Sequence, residues 1–130
     1  MVSLVNLTKQ KTPIIAWKKI AEKILGKQFD LSVVLTGEKK IAAIKKKYLP
    51  RKQELRRPNI LSFLMEENVG EIFLCPAYLR REAPFFKRNF NRHLKKIYLH
   101  GILHLKGFSH QQEKEAVKMA KEEKKWEKIL

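Results

Sequence analysis

Three histidines within one short stretch, His100, His104 and His110, constrain this 130-residue chain more than any other feature. On a helix, residues four apart stand one above the other on the same face, so His100 and His104 can offer imidazole nitrogens to one ion. Gly107 can take the left-handed conformation that turns a chain out of a helix, and His110 can then fold back as a third ligand. Zinc at catalytic sites often has three protein ligands and keeps a fourth position for water, and three histidines satisfy that count. The pattern predicts a metal site at the end of a helix, with one Zn²⁺ per chain. Helix-face or capping roles are the alternative, but an i, i+4 pair followed by glycine and a third histidine is far more restrictive than a pair alone. Imidazole also suits nickel and iron, so the native metal stays open. The fourth histidine, His93, stands about 10 Å from His100 along a helix axis, too far for the same ion. It is expected at the surface or behind the site, near a phosphate.

The spacing equals that of the metzincin proteases, H-E-x-x-H-x-x-G-x-x-H, in which the glutamate is the general base. Here that position is Gly101, which cannot accept a proton, and Met119 sits in a charged helical pattern rather than a Met-turn. The ligand cage matches; the protease chemistry does not.

Around this motif, strands and helices alternate. Val2–Leu7 reads as a short strand. Thr12-Pro13 reads as a helix cap and first turn, followed by Ile14, Ile15, Trp17, Ile20, Ala21, Ile24 and Leu25 at helical spacing and a stop at Gly26. Phe29–Thr36 is a strand and Glu38–Lys47 a helix. Tyr48–Pro58, with two prolines and a basic cluster, is a loop or edge segment. Asn59–Met65 and Gly70–Cys75 form a hairpin joined by the four residues Glu66 to Val69. Pro76–Lys87 has no decisive period. Asn89–Lys106 is the histidine helix, ended by Gly107, and a Lys/Glu-laced helix runs from about Gln111 to Leu130. With no internal repeat or linker, residues 1–130 form one α/β (α+β) domain: a small mixed four-stranded sheet packed with about four helices.

Hydrophobic residues make up 44% of the chain, enough for a core. Lys and Arg number 29 against 13 Asp and Glu, a net charge of +16. Such a charge suits a polyanionic partner, RNA, DNA or an anionic membrane surface; plain solvation in a lysine-rich protein is the other reading. The single cysteine, Cys75, leaves no intramolecular disulfide and favours a reducing compartment. Neither a secretory signal nor an apolar run of membrane-spanning length is expected, so the chain reads as a soluble cytoplasmic protein with no membrane partner.

The run from His100 to His110, His-Gly-Ile-Leu-His-Leu-Lys-Gly-Phe-Ser-His, resembles the H-G-x-L-H-L-x-G-[YF]-D-H signature of the YbeY family, bacterial endoribonucleases that mature ribosomal RNA. Asn59-Ile-Leu-Ser62-Phe63 is similar to that family's T-D-V-L-S-F-P strand, and Gly70-Glu71-Ile72 to its G-D-I strand start. The likeness covers nearly the whole chain. It implies that His100, His104 and His110 are zinc ligands and that Ser62 and Phe63 lie on the strand flanking the site. It also implies that an upstream arginine, best matched by Arg51 with Arg56 and Arg57 as competitors, belongs to the catalytic group. Three departures bear on the catalytic rate. The aspartate before the third histidine is Ser109, the Thr-Asp of the strand is Pro58-Asn59, and the proline after Phe63 is Leu64.

The chemistry follows. Zinc lowers the pKa of a bound water towards 7 and can act as a Lewis acid on a phosphoryl oxygen. Arg51 would stabilise charge on a phosphodiester with a bidentate fork, though a solvated loop role is the alternative. Ser62 joins it as a catalytic candidate. Lys47, Arg56, Arg57, Arg88, Arg92 and Lys96 would bind RNA, with Tyr48, Phe85, Phe86 and Phe90 as stacking or core aromatics. Glu113–Lys128 mixes both signs at i, i+4 spacing and reads as a solvated, self-paired helix. The partners implied are single-stranded RNA, ribosomal RNA and the small ribosomal subunit. Two other classes stay in view: a metzincin-like peptidase, and a non-catalytic ribosome-assembly factor with a structural zinc.

Overall fold

The computed structural model describes residues 1–49, 58–109 and 111–130. Its elements are β1 (Val2–Asn6), α1 (Trp17–Leu25), β2 (Asp30–Leu35), α2 (Glu38–Tyr48), β3 (Ile60–Glu66), β4 (Val69–Leu74), α3 (Pro76–Glu82), α4 (Phe90–Lys106) and α5 (Glu113–Ile129), with a 3-10 turn over Ala83–Phe86. The four strands form one mixed sheet in the order β1-β2-β4-β3. β1, β2 and β4 are parallel, whereas β3 runs antiparallel to β4. The expected mixed four-stranded sheet is therefore present, with five helices around it.

Alternation along the strands divides the core. Leu31, Val33, Leu35, Ile72 and Leu74 face a large cluster built on α1 and α4, including Ile20, Ile24, Leu94, Tyr98, Ile102 and Leu103. The opposite face carries a smaller cluster of Ile41, Leu61 and Cys75, flanked by Ile44, Phe63 and Phe73. α4 thus packs against β3 of the sheet and against the helices α1 and α5. Tyr98 fixes it sideways: its hydroxyl donates to the Trp17 carbonyl at 2.8 Å, and the two rings meet edge to face at 4.8 Å. Burial pushes the Tyr98 phenol well above its ordinary pKa.

The ends of α4 follow its sequence. The Asn89 side chain accepts from the Arg92 N–H at 2.8 Å at the N-terminus. Gly107, at φ 116°, closes the C-terminus in the left-handed region. In between, Gly101 lets the helix approach β3: a Cβ there would lie 2.5 Å from Ile60 Cδ1 and 2.9 Å from Ser62 Oγ.

Several boundaries differ from expectation. α1 begins at Trp17, not at Thr12-Pro13. The Thr12 hydroxyl is engaged by Asn6 Nδ2 at 3.0 Å, and Asn6 also reaches the Gln10 carbonyl, so this segment closes on β1 before the helix starts. Ile14 consequently stands 92% exposed instead of on the buried helix face. The β3–β4 connection is Glu67-Asn68, two residues rather than four, because the strands run on past a register shift between Leu64 and Glu66. The segment with no decisive period is helical: Pro76 occupies the first turn of α3, where its missing N–H costs nothing. Among the described residues, no helix is long and apolar enough to cross a membrane.

Candidate metal centre

His100 and His104 lie one turn apart near the end of α4, and their rings meet at 4.7 Å between centroids with the planes 77° apart. Their Nε2 atoms are 3.1 Å from each other. Two ligands of a tetrahedral ion with Zn–N bonds of about 2.0–2.1 Å are separated by roughly 3.3 Å. The pair is thus spaced as two ligands of one ion would be, and imidazole is a donor that zinc takes. His110 lies outside the described residues, as do Arg51, Arg56 and Arg57. Among the described residues, no group of three His, Cys, Asp or Glu side chains could hold a metal.

The other nitrogen of His100 is committed. Nδ1 is hydrogen-bonded to Glu123 Oε1 on α5. That hydrogen bond holds the Glu123 carboxyl below its ordinary pKa against the opposing effect of burial, and the Lys96 charge acts in the same direction. α5 is solvated, as its alternating charges suggest, but it is not simply self-paired. It retains one internal pair, Lys125–Glu122 at 3.9 Å, but Glu127 turns to Lys96 of α4 at 3.1 Å. Lys96 with Glu127 and His100 with Glu123 step in opposite directions along the two helices, which therefore run antiparallel. Glu123 is the site residue that sequence reasoning missed. No sequence signal pointed to it, because the burial of Met119, one turn before Glu123 on the same face, is seen only in the fold.

Ser62 sits on the β3 face that meets α4, with its Oγ against Gly101. Phe63, next in the strand, points to the other face and packs edge-on against Phe73 and Tyr48. So only one of the two flanks the histidine helix. The space beside Gly101 is filled by Ile60 and Ser62, which leaves no room for the glutamate that metzincins carry there. Ser109, where the family signature has aspartate, accepts from the Gln111 N–H at 3.2 Å.

His93 is not at the surface; it is fully buried. Its Nε2 is 2.8 Å from Glu82 Oε1, its Nδ1 3.2 Å from an Arg88 guanidinium nitrogen, and Phe86 stacks on the ring at 5.0 Å. Glu82 also accepts from Asn59 Nδ2 at 2.6 Å, which ties the start of β3 to α3 and α4.

The basic candidates fall in separate places. Arg92 and Lys96 line a cleft of about 360 Å³ with Lys95, Lys124 and Lys128 around Ile20, Leu99, Trp126 and Leu130, Glu127 being its acidic member. Arg88 is at the α3–α4 corner, over the Phe86 ring. Lys47 is at the end of α2, over Tyr48, among residues of the opposite sheet face. Of the aromatic candidates, Phe85 is 88% exposed, whereas Phe90 packs against the core beneath the Arg80 guanidinium.

Comparison with known proteins agrees with the fold and the motif. Residues 4–130 match the family model described as Endoribonuclease YbeY. The Endoribonuclease YbeY of Thermotoga maritima is 34% identical over 112 residues, 84% of this chain and 72% of that protein. Its counterpart from Neorickettsia sennetsu is also 34% identical, over 81% of this chain and 73% of its own length. The solution structure of a Thermotoga maritima protein, 28% identical in sequence, superposes with a TM-score of 0.64 over 97% of this chain and 86% of its own. This chain belongs to the YbeY endoribonuclease family.

Proposed function

We propose that this protein is a zinc-dependent endoribonuclease that cleaves single-stranded RNA in the maturation of ribosomal RNA, in the cytoplasm. One observation carries the proposal: two imidazole nitrogens 3.1 Å apart near the end of a helix packed on the sheet, in a chain of an endoribonuclease family. His100, His104 and His110 would hold the ion. When bound, zinc would supply Lewis acidity and lower the pKa of a bound water towards 7. The protein's own groups do the rest. Phosphodiester cleavage builds charge on non-bridging oxygens, and Arg51, or Arg56 or Arg57 beside it in sequence, would meet that charge with a bidentate fork. Ser62, on the strand facing the histidine turn, would hydrogen-bond a phosphate oxygen or the ribose. Arg92 and Lys96 belong to a cationic cleft on the same helix, with Lys96 one turn before His100, so a strand bound along α4 would reach the histidines. Arg88 and Lys47 would contact RNA outside that path. The small ribosomal subunit would present such single-stranded ends.

The test joins metal content to cleavage. The wild type should carry about one zinc per chain and cut a labelled single-stranded RNA; His104→Ala should lose both. Equal cleavage by the two would identify a contaminating nuclease and remove the enzyme reading. Bound zinc without cleavage would favour the assembly-factor reading, for which Ser109 in place of aspartate, its Oγ accepting from the Gln111 N–H, is the supporting observation. RNA affinity should also fall steeply with salt.

A further inference from the structure

We infer that Glu123 is the positioning residue of the histidine site: from α5 it holds His100 in the tautomer that carries its proton on Nδ1 and turns Nε2 towards His104. The inference rests on the reading of His100 and His104 as metal ligands. An imidazole binds an ion through a nitrogen lone pair, which requires the proton to sit on the other nitrogen. A carboxylate only accepts hydrogen bonds. Paired with Glu123 Oε1, Nδ1 must therefore be the donor, which puts the lone pair on Nε2, the nitrogen that faces His104. The same contact fixes the ring's rotation, and a carboxylate behind a ligand histidine raises its basicity.

The contact also gives α5 a task. This helix is mostly exposed, with Met119 as its buried residue, and two of its carboxylates reach across to α4. One, Glu127, meets Lys96, whose ammonium is no metal ligand. The other, Glu123, meets His100, with both side chains about one-third exposed at 32% and 29%. The two ties join the same pair of helices one turn apart, so each is the control for the other. If α5 merely needs docking, losing either tie should have the same effect on the site. If Glu123 positions His100, only its loss should.

The experiment measures zinc affinity of the full chain by chelator competition. Glu123→Ala should bind zinc about 10- to 100-fold more weakly than the wild type. Glu123→Gln, which keeps an acceptor oxygen without the charge, should fall between them, and Glu127→Ala should match the wild type. The second readout needs no metal: nitrogen-15 NMR of the metal-free protein should find His100 protonated on Nδ1 in the wild type and mixed between tautomers in Glu123→Ala. Unchanged affinity in Glu123→Ala, or an equal loss in Glu127→Ala, would overturn the inference while leaving the metal site standing. A wild type that binds no zinc would instead remove the metal reading, and the tautomer measurement would then decide alone whether Glu123 orients the ring.

Discussion

α4 carries two histidine–carboxylate pairs, one near each end, and they serve opposite purposes. At the N-terminal end His93 is fully buried with both ring nitrogens engaged, Nε2 by Glu82 and Nδ1 by Arg88. A guanidinium can only donate, so Nδ1 accepts and Nε2 donates to Glu82, and both nitrogens are occupied. Near the C-terminal end His100 is partly exposed; its Nδ1 is engaged by Glu123, while Nε2 faces His104. The residue types are the same, and the difference lies in the second nitrogen. Where a donor fills it, the histidine is a structural lock; where another imidazole faces it, the pair can take an ion.

Four substitutions test that contrast, from the largest effect to the smallest. His104→Ala should abolish metal binding and lower RNA cleavage by orders of magnitude while leaving the thermal stability of the metal-free chain nearly unchanged; paired metal analysis and calorimetry would check this. A destabilised metal-free chain would mean that the two ends are not different in kind. His93→Ala should do the reverse. It strips a partner from Glu82 and Arg88 inside a closed pocket, at a cost of about 3 kcal/mol read from denaturant unfolding. The folded fraction should still bind zinc, and a loss of stoichiometry there would couple the ends.

Gly101→Ala sharpens the comparison from the sheet side. The new methyl would meet Ile60 and Ser62 at 2.5 and 2.9 Å, so either those side chains or the helix must shift. Overpacking of this kind costs about 1–3 kcal/mol. Because the displaced turn carries His100 and His104, zinc affinity should fall as well, which His93→Ala should not cause.

The smallest effect concerns Cys75, remote from both pairs in the cluster on the other sheet face. Burial pushes its thiol above the ordinary 9.0. The native state therefore keeps a proton that the unfolded state releases, and stability should decline as pH rises above about 9. Cys75→Ala should flatten that slope in a pH series of unfolding curves, and an unchanged slope would assign it to other groups.

The contrast also explains what could be read in advance. α4 was legible at both ends because its signals are local: Asn89 caps it, apolar residues recur at helical spacing, and Gly107 closes it. The i, i+4 histidines were legible for the same reason. The partners of the histidines were not. Glu82 lies in a stretch of mixed Arg, Glu, Pro and Phe that becomes α3 and a 3-10 turn only through packing, so the burial of His93 left no mark near His93 itself. Glu123 is one of several glutamates among the lysines of α5, and only the fold tells which of them faces α4. The start of α1 was misplaced for a related reason, since the Thr12 hydroxyl that looks like a cap is taken by Asn6 from across a turn. Propensity and spacing reveal elements and their ends; they do not reveal which polar groups meet between elements.

X-ray absorption spectroscopy of the zinc-loaded full-length chain asks the central question directly. A three-histidine site predicts a zinc shell of imidazole nitrogens at about 2.0–2.1 Å, with the multiple-scattering signature of histidine and one further light atom. A shell of oxygen alone, or one containing sulfur, would contradict it.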